Sequence, residues 1–268
     1  MREKFRKNKG KRNYQKELDA HIDLAKEAGE VPTLLLHSCC APCSSYVLAY
    51  LSEYFRITVL YYNPNISPES EYQKRVEELK RLLREMPMKH PVRLVEGTYE
   101  PEHFYDTVRG LEDVPEGGER CFLCYELRLR EAAKYAKKFH LEYFTTTLTI
   151  SPLKNAEKLN EIGEALEAEY AVKFLPSDFK KREGYKQSIA LSKEYNLYRQ
   201  NFCGCLFSKP KETSTSESEP WLNSSSRLRV LAMPICARSS GSGAVTSNPT
   251  PSSSTQTINA SPVSRLQI

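Results

Sequence analysis

Seven of the eight cysteines in this 268-residue chain fall into three tight groups, and thiols at such spacings have a narrow range of chemistry. The groups are Cys39-Cys40-Ala41-Pro42-Cys43, Cys121-Phe122-Leu123-Cys124 and Cys203-Gly204-Cys205, with Cys236 standing apart as a bystander. A C-x-x-C pair at a loop-to-helix junction brings two thiolates to one metal centre. Adjacent cysteines on a turn supply two more, and Cys-Pro runs are familiar at iron–sulfur sites. Cys39, Cys40, Cys121 and Cys124 thus form a four-thiolate set suited to a [4Fe–4S] cluster. On spacing alone a four-cysteine zinc knuckle stands equally well, because zinc also takes four thiolates. Two features weigh toward redox chemistry: there are more thiols than one closed zinc site uses, and vicinal cysteines are uncommon in structural zinc sites. Cys43 and the pair Cys203/Cys205 are left over. A Cys-Gly-Cys turn can close a small strained disulfide of the exchange-competent kind, and a dithiol beside a metal cluster suits two-electron reduction.

Other polar residues carry weaker signals. His37 reads as a capping histidine at a strand end, with a supporting role behind the thiols as the alternative. Lys80-Arg81 and Lys137-Lys138 read as solvated helix faces. Lys180-Lys181-Arg182 is a denser basic patch on a loop and suits phosphate contact, although an exposed charge run explains it as well. Tyr198-Arg199-Gln200-Asn201 offers an aromatic ring, a bidentate donor and two amides, groups that can read a flipped base.

The elements that must position these residues can be read from periodicity. A strand at 33–37 ends in the first cysteine group, and Pro42 opens a helix behind it. Residues 57–62 alternate and end in the turn Asn63-Pro64-Asn65, reading as a strand. Tyr72, Val76, Leu79, Leu83 and Met86 lay an apolar stripe along a charged helix at 69–86. Further strands are expected at 92–95, 143–148 and 172–175. Further helices are expected from Cys121 to about residue 139, at 154–170 and at 184–195. Strands alternating with helices argue for an α/β fold, a three-layer sandwich around a mainly parallel sheet. Ligands of such sheets bind beyond the strand C-terminal ends, where Cys39, Asn63 and residues 147–151 fall.

The chain is 40% hydrophobic and 27% charged, enough for one sizeable core, and its longest apolar runs are strand-sized, too short to span a membrane. Residues 1–12 hold seven Lys/Arg and one Glu with no apolar stretch behind them, so no secretory signal is expected and the protein reads as cytoplasmic, with its thiols reduced. Residues 13–208 carry 26 basic against 30 acidic groups, so nucleic acid contact in the body must rest on local patches. Three regions follow: a basic arm and helix at 1–30, an α/β body at 31–208, and a tail at 209–268 with 15 serines that reads as disordered, its only apolar island at 228–236.

Seven motifs in order then carry a resemblance. They are His37-Ser38-Cys39-Cys40-Ala41-Pro42-Cys43, Tyr62-Asn63-Pro64-Asn65, Glu119-Arg120-Cys121-x-x-Cys124, Thr145-Thr146-Thr147-Leu148, Ser151-Pro152-x-Lys154-Asn155, Ser177-Asp178-Phe179-Lys180-Lys181 and Tyr198-Arg199-Gln200-Asn201-x-Cys203-Gly204-Cys205. Together they resemble the cobalamin-independent epoxyqueuosine reductases, the QueH family, from about Asn13 to Ser208. The tail departs from that family's compact ending. The resemblance implies the last step of queuosine synthesis, reduction of the epoxide of epoxyqueuosine at the tRNA wobble position. It implies a [4Fe–4S] cluster on Cys39, Cys40, Cys121 and Cys124 and a redox-active Cys203–Cys205 disulfide. The implied partners are tRNA carrying epoxyqueuosine and an electron donor such as a ferredoxin or flavodoxin. Asn63, Ser151, Lys154, Lys180, Lys181, Tyr198 and Arg199 are the candidate substrate contacts. The fold resembles the nucleotide-binding α/β group of the tRNA-thiolating ATP pyrophosphatases, whose glycine-rich phosphate loop is replaced here by Cys39-Cys40. A thiolating enzyme of that type and a zinc-stabilised tRNA-binding module are the alternatives.

Turning an epoxide into an alkene consumes two electrons and two protons and releases water. The site needs an electron source, a Lewis acid or proton donor at oxygen, and shelter from water. An iron with an open position, in the cluster or as an additional mononuclear iron held with help from Cys43, could meet the oxygen. Asp178 with Lys180 is a candidate proton relay or substrate contact, and a helix-capping aspartate explains Asp178 equally well.

Overall fold

Residues 12–209 are described in the computed structural model, so the arm at 1–11 and the expected disordered tail with its island at 228–236 lie outside the described residues. Five parallel strands, β1 (Thr33–His37), β2 (Arg56–Tyr61), β3 (Arg93–Glu96), β4 (Tyr143–Thr146) and β5 (Lys173–Phe174), form one sheet in the order β3-β2-β1-β4-β5. The helices are α1 (Tyr14–Ala28), α2 (Ala41–Leu51), α3 (Glu69–Glu85), α4 (Pro101–Thr107), α5 (Glu119–Lys138), α6 (Ala156–Tyr170) and α7 (Gly184–Glu194).

Strand periodicity builds two cores. Leu34 and Leu36 of β1 point to one face of the sheet and pack with α1, α2 and α3 through Leu18, Leu48 and Leu79. Leu35 points to the other face and packs with α5 and α6 through Leu129 and Leu159. A strand buried on both faces reads as an unbroken apolar run, as Thr33–His37 does. The result is the expected three-layer α/β sandwich.

The site follows from the strand order. Crossovers leave the central strand β1 toward β2 on one side and β4 toward β5 on the other, which opens a crevice between the ends of β1 and β4. His37 and Thr146 are register partners at that gap. The loop after β1 carries Cys39 and Cys40, and α2 starts at once behind it with Pro42 in its first turn. α5 begins at a glycine N-cap, Gly118, and places Cys121 and Cys124 one turn apart on its buried face.

Some boundaries differ from expectation for local reasons. β4 stops at Thr146, two residues early, because the Thr146 hydroxyl accepts the Leu148 N–H and starts a 3-10 turn over Thr147–Ile150. α6 starts at Ala156, because the Asn155 side chain accepts the Lys158 N–H as its N-cap. α4 was not expected from sequence; its one buried residue is Phe104, which packs beside Cys124 and Cys205.

Candidate functional site

The seven described cysteines are all free and gather in two groups at the crevice. Cys39, Cys40 and Cys43 form the first: their sulfurs lie within 4.8 Å of one another, with Cys39 and Cys40 at 3.8 Å. Cys40, with an extended backbone, is the N-cap of α2, so the chain passes directly from the vicinal pair into the helix that carries Cys43. Thr147, from the opposite strand end, holds Cys39 twice: its hydroxyl accepts the Cys39 N–H at 3.2 Å and lies 3.3 Å from Cys39 Sγ. Cys39 and Cys43 line a crevice of about 340 Å³, a volume within the range of ligand pockets.

Cys121, Cys124, Cys203 and Cys205 form the second group around a small void of about 10 Å³. Cys203, Arg128, Lys154, Glu116 and Asn65 line both spaces, so the two groups share a wall. The structure therefore brings Cys43 to Cys39 and Cys40, and Cys203 and Cys205 to Cys121 and Cys124.

Buried charge tells what this wall requires. Arg128 is 2% exposed; its Nε donates to the Cys124 carbonyl and its Nη1 to Asn63 Oδ1. Arg120, 3% exposed, donates to the Leu111 and Glu112 carbonyls. Among the described residues neither guanidinium pairs with a carboxylate. A buried cation without a counter-charge is costly, so the site calls for negative charge from its thiols. Burial works against the charge on Arg128, but Cys124, Cys203 and Cys39 outweigh it and hold its pKa above the usual value. Burial likewise opposes the Lys154 ammonium, and Cys203 and Glu116 overcome it. Lys154 Nζ reaches Glu116 Oε1 at 2.9 Å and Cys203 Sγ at 3.3 Å.

The thiols respond in turn. Cys40 is pushed well down because Cys39 and Cys43 both donate to it; donating to Cys40 pushes Cys39 up to about 11, and donating to Cys39 and then Cys40 pushes Cys43 well above its usual value. Burial pushes Cys124 up to about 12. His37 is fully buried, and burial lowers its pKa to about 4, so the ring is neutral. The Tyr62 carbonyl, 3.1 Å from Nε2, can only accept, which places the proton on Nε2 and leaves Nδ1 to accept from the Thr146 hydroxyl at 2.9 Å. His37 thus closes a strand end, as its capping reading expects.

The other candidates divide between locations. Asn63, Ser151, Lys154 and Arg199 line the crevice. Asp178, Lys180 and Lys181 line a neighbouring cavity of about 600 Å³, which meets the crevice at Lys154. No cysteine lines that larger cavity, whereas Cys39, Cys43 and Cys203 line the crevice. Asp178 caps no helix; it pairs with Lys180 at 3.2 Å. Tyr198 stands outside the crevice, with its hydroxyl 3.1 Å from both Glu71 carboxylate oxygens and Lys74 Nζ 3.5 Å from its ring centroid. Lys137 and Lys138 are exposed as expected. Arg81 is not a free solvated charge: it donates to the Tyr195 and Asn196 carbonyls and fixes the chain leading to the Cys-Gly-Cys turn.

Sequence reasoning missed Arg128, Arg120, Glu116 and Arg75. Their polar function is hidden in helical stripes or loops, and only the requirement that a buried charge be paired identifies them.

The donor set suits a thiolate-bound iron–sulfur group. Reduced cysteines face buried guanidiniums that lack carboxylates. Asn65 Oδ1 and Gln200 Oε1 in the crevice and the Tyr125 hydroxyl at the void are buried without a protein partner, which marks a place for polar ligand atoms.

Comparison with known proteins gives the same direction. The family model described as epoxyqueuosine reductase QueH matches residues 34–211. Proteins named epoxyqueuosine reductase QueH are similar over most of the chain: one from Staphylococcus epidermidis is 43% identical over 204 residues, covering 75% of this chain and 86% of its own length. One from Streptococcus pyogenes is 40% identical, covering 73% of this chain and 77% of its own, and one from Thermotoga maritima is 39% identical, covering 66% and 90%.

Proposed function

The chain belongs to the epoxyqueuosine reductase QueH family of oxidoreductases, and on that premise we propose that it reduces the epoxide of epoxyqueuosine in tRNA to the cyclopentene of queuosine. The observation that carries this reading is the crevice at the β1/β4 gap, where free thiols of two groups face the buried cations Arg128 and Lys154. The electron count balances within the chain: two electrons and two protons convert the epoxide to alkene and water, and closure of a Cys203–Cys205 disulfide releases two electrons and two protons.

Cys39, Cys40, Cys121 and Cys124 would hold a [4Fe–4S] cluster, and Cys43 would serve an additional mononuclear iron. When bound, such a cluster supplies electrons one at a time. The crevice takes one base between Asn63, Ser151 and Arg199, and the chain walls exclude water from the reacting carbon. Lys154 holds a proton at the crevice wall beside Cys203. Lys180 Nζ lies 3.5 Å from the Lys154 carbonyl, and with Asp178 and Lys181 it serves contacts to flanking nucleotides and proton relay behind Lys154. Tyr198 supports the reading segment from outside. A ferredoxin or flavodoxin restores the electrons in the cytoplasm. The loop from Cys39 to Cys43 contains no glycine, which disfavours an ATP-type phosphate cradle.

The test is anaerobic incubation of the protein and a chemical reductant with tRNA carrying epoxyqueuosine, followed by nucleoside mass analysis and by iron and sulfide determination. The reading expects loss of one oxygen from the nucleoside, and iron with matching sulfide that falls by most of its amount in Cys121→Ala. An unchanged nucleoside, or full iron and sulfide in Cys121→Ala, overturns it.

A further inference from the structure

We propose that the two sulfurs of the Cys203-Gly204-Cys205 turn have fixed and different roles: Cys203 is the sulfur that exchanges with a thiol or disulfide partner entering the crevice, and Cys205 is the buried sulfur that resolves the mixed disulfide. The proposal deepens the reading of this pair as a dithiol and rests on it.

Access separates the two. Cys203 is half-buried and lines both the crevice of about 340 Å³ and the small void. Cys205 is 7% exposed and lines only the void of about 10 Å³, room for about one water. Phe104 and Val108 from the α4 region pack beside it, with Phe207 against them, and its polar neighbours, Ser208 and Arg120, belong to the same closed wall. Exchange requires a sulfur nucleophile to approach the attacked sulfur directly, and the void admits no such group.

The surroundings also favour Cys203 electrostatically. Lys154 Nζ donates to Cys203 Sγ, so negative charge on that sulfur meets a buried ammonium when a partner arrives or leaves. Nor can the turn flip to trade the sulfurs. Arg75 Nη1 donates to the Cys203 carbonyl at 3.0 Å, and the Ser67 N–H donates to the Gly204 carbonyl at 2.9 Å. Gly204 stands at φ +122, where a Cβ would come within 3.0 Å of Ile66 and Arg75 atoms. The backbone is clamped on one side, and Cys205 is held inward.

The exchange balances as follows. The Cys203 thiolate attacks one sulfur of a partner disulfide, the partner S–S bond breaks, and one partner thiolate leaves and takes up a proton. The Cys205 thiol then loses its proton and attacks the Cys203 sulfur, and the second partner thiolate leaves. Two protein thiols are oxidised and one partner disulfide is reduced. Reduction runs in reverse: a partner dithiol attacks Cys203, and Cys205 is released first.

Oxidised glutathione added anaerobically to the full chain tests this, with each cysteine read by peptide mass mapping. Cys205→Ser should accumulate glutathione on Cys203, whereas the wild-type chain should pass to an internal disulfide. In Cys203→Ser, Cys205 should label at least about tenfold more slowly than Cys203 does in Cys205→Ser. A short pulse of N-ethylmaleimide on the reduced wild-type chain should give the same order without any substitution, with unlabelled Cys124 confirming the fold. Equal labelling of Cys203 and Cys205 with normal disulfide closure overturns the asymmetry and leaves the redox reading intact. A glutathione adduct that persists on Cys203 in the wild-type chain overturns the resolving role of Cys205 and the redox reading with it.

Discussion

The two outer thiol turns of the crevice are held in opposite ways. The turn from Cys39 to Cys43 is made by its own neighbours in sequence: β1 delivers it, Pro42 starts α2 behind it, and the Ser44 hydroxyl donates to the Cys40 carbonyl at 2.9 Å. The Cys203-Gly204-Cys205 turn belongs to no strand or long helix. It is strapped to α3 by residues more than a hundred positions earlier: Arg75 on the Cys203 carbonyl, Glu71 on the Tyr198 hydroxyl, Glu78 on the Tyr198 N–H at 2.6 Å, and Arg81 on the carbonyls of Tyr195 and Asn196. A turn built locally keeps its shape as long as the fold does. A turn held by a strap can be loosened separately by changing the strap, which makes its hold on the proposed Cys203/Cys205 dithiol open to test.

Arg75→Met should loosen it most. Arg75 is 2% exposed and pairs with Glu71 at 2.7 Å while holding Cys203, so the substitution leaves the Glu71 carboxylate without its counter-charge, with only the Tyr198 hydroxyl on it, and the Cys203 carbonyl without its donor. We expect a loss of about 3 kcal/mol in denaturant unfolding. Cys205 should become open to maleimide while Cys39 and Cys43 keep their reactivity. Unchanged stability with Cys205 still protected would show that the strap does not hold the turn.

Gly204→Ala should act more mildly on the same turn. Its positive φ and its close approach to Ile66 and Arg75 together predict a loss of about 2 kcal/mol, read by the same unfolding curve. A neutral result would mean that the turn is free to move off α3.

The smallest effect concerns acid. Burial raises the Glu78 pKa, but the Arg81 guanidinium and the Tyr198 N–H outweigh it and leave the carboxyl below its usual 4.5. A depressed carboxylate contributes stability above its unfolded pKa and loses it as pH falls through the folded one. Glu78→Gln should therefore lose a little stability at pH 7, converge with the wild-type chain well below pH 4.5, and so show a flatter acid limb. An acid limb identical to that of the wild-type chain would remove Glu78 from the strap.

This contrast also explains what could be read from the sequence. The Cys39 turn was legible because strand, Pro42 and apolar helix lie within twenty residues of one another, and the α5 cysteines were legible because Cys121 and Cys124 ride on a clear helical stripe. The strap was not. Arg81 had the pattern of an ordinary helix-surface charge, and Arg75 lies in a charged helix whose apolar stripe skips it, so their partners become visible only once the chain has folded back. Tyr198 looked like a base-reading aromatic for the same reason: its ring and hydroxyl are engaged by Lys74 and Glu71, which nothing local announces. Pairing of the thiols into groups of three and four is likewise a property of the β1/β4 gap, set by strand order and not by spacing.

The central claim is that the free thiols of the crevice reduce an epoxide, with Cys203 and Cys205 acting as one dithiol. Turnover of tRNA carrying epoxyqueuosine by Cys203→Ser, Cys205→Ser and the double variant, with iron content and visible spectrum recorded on the same samples, tests it most directly. The account predicts intact iron and spectrum in all three, loss of multiple turnover in each single variant, and a double variant no worse than either single, because two residues acting as a unit are not additive. Turnover near the wild-type rate in both single variants, with a chemical reductant and with a protein donor alike, would contradict it.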